Sequence, residues 1–269
     1  MLTYEVLLKQ AGARGMPLTK TRGILREYLQ VLILKEVYKS QEGRHLYFTG
    51  GTYLRLVHNL KRFSEDLDFN TDILTKSSFE KMVKKVQVGL KYHNIEASVR
   101  FDHWDNILSG QLAFPSIEKA YNISSPFSKK EGIIIKLEAN RPKWKIKREN
   151  EVIAGFAEMY LCVCTDKSAL FADKIDAFNK KMRGRHLYDL IFMLSNKYPI
   201  DKNVLKYLKI EGDPLEAVKK RLKDLTASDL RGQAETLRLF LFDESEADLL
   251  VQAKAVIPSL IAKYRAATL

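Results

Sequence analysis

The residues best placed to do chemistry in this 269-residue chain are two aspartates one position apart, Asp66 and Asp68, in SEDLDFNT. On a strand, successive side chains alternate between faces, so these two carboxylates stand side by side while Leu67 and Phe69 turn the other way. Like charges that close are unfavourable unless a cation, a basic side chain or water sits between them. Paired carboxylates are also hard oxygen ligands of the kind Mg²⁺ takes together with waters and substrate phosphates. Upstream, Gly50 and Gly51 read either as a plain tight turn or as a place where backbone approaches a phosphate ahead of a helix N-terminus. A third carboxylate is available in GIIIKLEANR, where Ile133, Ile135 and Leu137 share one strand face and Ile134, Lys136 and Glu138 share the other.

Two further charges depart from simple patterning. In SALFADKIDAFNKKM the apolar stripe runs through Phe171, Ile175, Phe178 and Met182, which puts the stem of Lys174 on or beside it. That lysine either snorkels to water or aims a cation at phosphates or at the carboxylates. Asp189 sits four residues after Arg185, consistent with an exposed helix ion pair. The run NRPKWKIKRE gathers Arg141, Lys143, Lys145, Lys147 and Arg148 around Trp144, and KKMRGR adds Lys180, Lys181, Arg183 and Arg185. Strand alternation places Lys143, Lys145 and Lys147 on one face, suited to a nucleic-acid backbone, with an indole able to stack on a base; an exposed hairpin of solvated lysines is the plainer alternative.

The elements that must position these groups follow from periodicity. Helices are expected over 19 to 39, in TYLRLVHNL and in the serine-led SSFEKMVKKVQVGLKYHN; strands in HLYFTGG, EDLDFNT, IEASVRFDHW, ILSGQLAFPS, GIIIKLEANR and EMYLCVCT. Beyond residue 165 the pattern is helical throughout, over 167 to 182, 186 to 196, 201 to 209, 213 to 224, 227 to 242 and 244 to 266. The expected plan is α+β: a domain over residues 1–165 with a mixed sheet and flanking helices, then a helical domain over 166–269 that completes the active-site cleft. Composition agrees with a packed protein, at 46% hydrophobic residues, and the net charge of +12 points to a polyanionic partner. Cys162 and Cys164 share a strand face in an apolar run and lack a second ligand pair, which favours buried structure over a metal site. No signal sequence or membrane-spanning stretch is visible, so the expected setting is the cytoplasm.

GGTYLRLVHNLKRFSEDLDF resembles the signature of the AbiEii/AbiGii toxin nucleotidyltransferases, with its Gly-Gly-Thr turn and Arg-x-Ser-x-Asp-Leu-Asp-Phe strand. LFADKIDAFNKKMRGRHLYDLIFML resembles that family's later block. The resemblance implies a polymerase-β-like nucleotidyltransferase fold, a role in toxin-antitoxin or phage-defence systems, and transfer of nucleotides from an NTP to tRNA with Mg²⁺ or Mn²⁺. On that basis Asp66, Asp68 and Glu138 are expected to hold metal, and Gly50, Gly51, Thr52, Arg55, Ser64 and Lys174 to bind the nucleotide. Asp189 is expected to be a catalytic or orienting acid. The turn lacks the Gly-Ser of the wider superfamily, leaving Thr52 or Ser64 to supply a hydroxyl, and Ser64 is also a candidate for inactivating modification. His186 stands where relatives commonly carry an aspartate. The implied partners are tRNA or another RNA and a cognate antitoxin, with no membrane; a small-molecule nucleotidyltransferase and a catalytically inactive RNA-binding protein are the alternatives.

Overall fold

The computed structural model describes residues 1–123 and 132–268. The chain divides into two compact units, one formed by Met1–Pro142 with Arg148–Thr165, the other by Lys143–Lys147 with Asp166–Leu269. The first contains α1 (Tyr4–Ala13), α2 (Thr21–Lys39), β1 (Tyr47–Thr49), α3 (Gly50–Leu56), β2 (Leu67–Asn70), α4 (Lys76–Lys91), β3 (Ser98–Phe101), β4 (Ile107–Phe114), α5 (Ile117–Ala120), β5 (Ile133–Asn140), β6 (Arg148–Gly155) and β7 (Glu158–Thr165). Its seven strands form one mixed sheet in the order β3-β4-β5-β2-β1-β7-β6. The pairs β2/β5 and β1/β7 run parallel, and the other neighbours run antiparallel.

Helices α2 and α4 cover one face of this sheet, α4 against β3 and β4, α2 against β5 and β7. That face takes Leu67, Phe69, Ile133, Ile135, Leu137 and Ala139, all essentially inaccessible. Period-2 alternation then leaves Asp66, Asp68, Ile134, Lys136 and Glu138 half-buried on the opposite face. Helix α2 is buried on nearly every side, because its apolar run Leu29 to Leu34 offers no polar face except Gln30. Cys162 and Cys164 are free and buried on β7, as expected of packing residues.

Arg55 is also part of this interior. Its guanidinium Nε donates to Glu27 Oε2 at 2.9 Å, and its Nη1 reaches Asn59 Oδ1 and the Leu60 carbonyl. With Arg55 only 1% and Glu27 only 2% exposed, the expectation that Arg55 binds nucleotide is corrected: the side chain is committed to an internal ion pair.

The second unit is helical: α6 (Lys167–Lys180), α7 (Gly184–Ser195), α8 (Lys202–Tyr207), α9 (Pro214–Lys223), α10 (Ala227–Arg238), α11 (Asp248–Val251) and α12 (Ala253–Thr268). The single helix expected over 244–266 is broken into a 3₁₀ turn and two helices; Asp243 caps the turn through the Ser245 amide, and the chain leaves helical geometry again at Gln252. Three other elements differ from the periodicity reading. Helix α4 is capped by the Thr75 hydroxyl, which accepts from the Ser78 amide, rather than led by a serine. Helix α1 and strand β6 carry weak patterns that tertiary pairing completes, β6 through its full antiparallel register with β7.

Stranding a buried charge costs roughly 3–5 kcal/mol, but Glu27 also pairs with Arg14 at 3.4 Å, so losing Arg55 leaves it one partner. Arg55→Met should therefore lower stability in urea titration by about 3 kcal/mol or less. The double variant Arg55→Met/Glu27→Leu should recover only part of it, because Arg14 then loses its carboxylate.

Candidate functional site

The carboxylates are set by strand register. Asp68 on β2 pairs with Glu138 on the parallel β5 and with Thr49 on β1, and Glu138 pairs in turn with Ser109 on β4. One polar row thus crosses four strands on the same face, Ser109, Glu138, Asp68, Thr49. Asp66 precedes β2, and continuing the β2/β5 register by one residue sets it opposite Lys136. The charges feel each other: burial raises the Glu138 pKa above the ordinary glutamate value, the Asp66 charge raises it further, and Lys136 pulls it back.

The irregular segment leading into β2 is held from three sides. The buried amide of Gln30 donates to the carbonyls of Ser64 and Glu65 at 3.1 and 3.0 Å. Thr52, wholly buried, donates its hydroxyl to the Asp66 carbonyl. Arg26 pairs with Glu65 at 3.0 Å, on the side away from the aspartates. Gln30 was not legible as a site residue; its only signal is an amide in an otherwise apolar helical run.

The glycine pair has a geometric reason. Gly50 has φ of +81°, a left-handed conformation, and a Cβ added there would collide with the Asp68 carboxylate. A Cβ on Gly51 would lie 2.6 Å from Arg62 Nη2 and 3.0 Å from Ser64 Oγ. The turn is therefore seated directly against Asp68 and Ser64. Of the two candidate hydroxyls, that of Thr52 is engaged with backbone in the interior, and that of Ser64 faces the turn.

These residues fit a hard divalent ion at the Asp66–Asp68 edge by the chemistry of their donors: two carboxylates share a half-exposed face, and the missing Gly50 side chain is what lets the turn lie directly against Asp68. No group of three or more His, Cys, Asp or Glu side chains among the described residues converges as a metal cage. Glu138, expected to complete a three-carboxylate ligand set, stands beside the pair, one strand over on the same face.

In the helical unit, Lys174 on α6 and Asp189 on α7 form an ion pair at 2.8 Å, with side chains 10% and 0% exposed. Lys174 is thus neither snorkelled nor free, and Asp189 is a buried counter-charge rather than an exposed helix residue. His186 is pushed down to about 4 by burial first and by the Lys174 charge second. Its Nδ1 lies 3.2 Å from the Lys181 carbonyl.

The basic run is arranged differently from a stacking hairpin. Residues 143–147 form no strand, although Lys143, Lys145 and Lys147 are exposed and alternate with half-buried Trp144 and Ile146. Trp144 packs on Ala169, Ala172, Val204 and Leu205, which corrects the expectation that its indole stacks on a base. Lys147 pairs with Asp201 at 2.7 Å and Lys180 with Asp176 at 2.7 Å. Arg141 donates to the Leu74 carbonyl, Arg148 opens β6, Lys181 is exposed, and Arg183 and Arg185 are half-buried at the start of α7.

The sheet and its helical companion define a nucleotidyltransferase fold of the toxin type. The structure superposes on MenT4, a nucleotidyltransferase toxin of Mycobacterium tuberculosis, with a TM-score of 0.60 at 17% identity, covering 97% of this chain and 90% of that one. It superposes on JHP933 of Helicobacter pylori with a TM-score of 0.54 at 17% identity, covering 91% and 94% respectively. No curated protein matches the chain. The chain belongs to the family described as nucleotidyl transferase AbiEii toxin, Type IV TA system, which it matches over residues 32–255. It is by family a nucleotidyltransferase of toxin-antitoxin systems. Among the described residues, no helix is long and apolar enough to cross a membrane.

A carboxyl whose folded pKa is raised favours the folded state fully below its unfolded value, and that contribution is lost as pH rises through the folded value. Ionised Glu138 therefore costs stability at neutral pH. Glu138→Gln should melt higher than the parent at pH 7.5, and the difference should shrink as the pH falls toward the ordinary glutamate range, as read by thermal denaturation across pH.

Proposed function

We propose that this chain transfers a nucleotidyl group from an NTP to the 3′-hydroxyl of an RNA acceptor, tRNA in the first instance. The observation that carries the reading is the seating of the Gly50 turn against Asp68, with Asp66 and Glu138 on the same half-exposed sheet face. In the reaction, the acceptor 3′-oxygen forms a bond to the α-phosphorus, the bond from that phosphorus to the β-phosphate oxygen breaks, and pyrophosphate leaves. The hydroxyl proton passes to Glu138, which shares the sheet face of the two aspartates, and from there to water.

Asp66 and Asp68 are the residues that would hold Mg²⁺ or Mn²⁺, which when bound supplies charge neutralisation at the α-phosphate. Gly50, Gly51 and the Ser64 hydroxyl form the phosphate-facing turn. Lys174, paired within the helical unit with buried Asp189, is the nucleotide-contacting cation that the family resemblance implies, and an oriented ammonium needs no reorganisation as phosphate charge develops. Lys143, Lys145, Lys181 and Arg183 are the basic residues proposed to meet an RNA backbone, and the net charge of +12 favours RNA over a small alcohol as acceptor. A cognate antitoxin is the partner that the family implies, and the cytoplasm, where tRNA and NTP meet, is the assigned setting.

Purified protein incubated with Mg²⁺, each labelled NTP in turn and total tRNA should transfer label to the RNA 3′ end. Asp66→Ala and Asp68→Ala should abolish transfer, and Glu138→Gln should slow it by about a hundredfold or more. Label transfer surviving both aspartate substitutions would overturn the site.

A further inference from the structure

The open face of the sheet continues past the carboxylates onto β5, β4 and β3. Arg100 on β3 pairs with Gln111 on β4, and Gln111 pairs with Lys136 on β5. Lys136 in turn lies opposite Asp66 by the continued β2/β5 register. Partners across a sheet share a face, so Arg100, Gln111, Lys136 and Asp66 form one straight row perpendicular to the strands. At about 4.8 Å per strand the row is about 14 Å long. Its back is covered, because Val99, Leu112 and Ile135 alternate onto the α4 side, yet Arg100 is exposed and Gln111 and Lys136 are half-exposed on the front.

Nothing in the fold consumes these polar groups. Among the described residues, Arg100 and Gln111 make no side-chain hydrogen bond or ion pair, in contrast to Lys147 and Lys180, each held by an aspartate. Lys136 acts on Glu138 through its charge alone. Surface arginines on short edge strands commonly find water only, but this one is aligned with a second cation and an amide on a line that ends at the aspartates.

The row also lies on a particular side of the site. The glycine turn, joining β1 to α3, flanks Asp68 from the β1 side; the row arrives from the β5 side. Two substrates reaching one pair of carboxylates need separate approaches.

We infer that Arg100, Gln111 and Lys136 form the track along which the single-stranded 3′ end of the RNA acceptor reaches Asp66, its phosphates on the two cations and its sugar or base edges on the Gln111 amide. The inference rests on the reading of the protein as an RNA nucleotidyltransferase for its reaction, and not for its binding. The complementary charge favours a nucleic-acid strand, and the amide supplies both a donor and an acceptor without sequence preference.

The test measures binding and turnover separately. The probe is a single-stranded RNA oligonucleotide with a free 3′-hydroxyl, its affinity read by fluorescence anisotropy over a range of salt, followed by transfer assays with total tRNA and labelled NTP. Arg100→Ala should weaken oligonucleotide binding several-fold and reduce the slope of log affinity against log salt by about 0.7, the value for one phosphate contact on a single strand. Arg100→Glu should weaken it further, and Arg100→Lys should restore the slope. In the transfer assay the KM for tRNA should rise with the KM for NTP unchanged. Circular dichroism melting of the exposed-site variants checks their folding. An unchanged salt slope in both Arg100→Ala and Arg100→Glu overturns the track, as does a rise confined to the KM for NTP, which would assign the row to the triphosphate. Loss of the slope without any transfer to RNA by the parent protein would uphold the track and overturn the transfer reading instead.

Discussion

Like-charge crowding on one face of a pleated sheet is the constraint around which the first unit is built. Asp66, Asp68 and Glu138 share that face, and the pKa of Glu138 is raised by burial and then by the Asp66 charge. The fold nevertheless pins the segment from behind, with Gln30 on the carbonyls of Ser64 and Glu65 and Thr52 on the carbonyl of Asp66. Backbone held by buried donors keeps these carboxylates on one face of the sheet.

Two buried ion pairs contrast with that cluster. Arg55–Glu27 is buried within the sheet unit, with Arg55 Nη1 also donating to the Asn59 side chain and the Leu60 carbonyl, so it ties α2 to α3. Lys174–Asp189 joins α6 to α7 in the helical unit, with the lysine at the margin of burial and the aspartate wholly enclosed. In the second pair the enclosed Asp189 sets the orientation of the Lys174 ammonium.

The parity of β2 and β5 was legible in sequence because alternation is strict where one face is buried: Leu67, Phe69, Ile135 and Leu137 go in, Asp66, Asp68 and Glu138 do not. The helical character of the second unit was legible for the same reason at a period near 3.6, apart from the break at Asp243 and Gln252, where a local cap outcompetes a continuous pattern. Helix α1 and strand β6 were not, since neither carries enough periodicity to be distinguished from loop before its partner is known. Arg55, placed at the nucleotide by the family resemblance, and Trp144, placed on a stacking face by alternation among lysines, are each held instead by neighbours distant in sequence, Glu27 in one case and the α6–α8 cluster in the other.

Sequence by itself determined which residues share a face, because that follows from local backbone geometry, and it identified the family through the spacing of its two blocks. Tertiary structure alone decided which faces meet. The pairing of β2 with β5 rather than with another strand put Glu138 beside Asp68, the approach of Gly50 to Asp68 turned a glycine into a requirement, and the order β3-β4-β5-β2 lined Arg100 and Lys136 up with Asp66. Strand order and register are set by the whole set of buried contacts competing at once. No window of sequence contains that competition, and so the row of charges exists only once the sheet has formed.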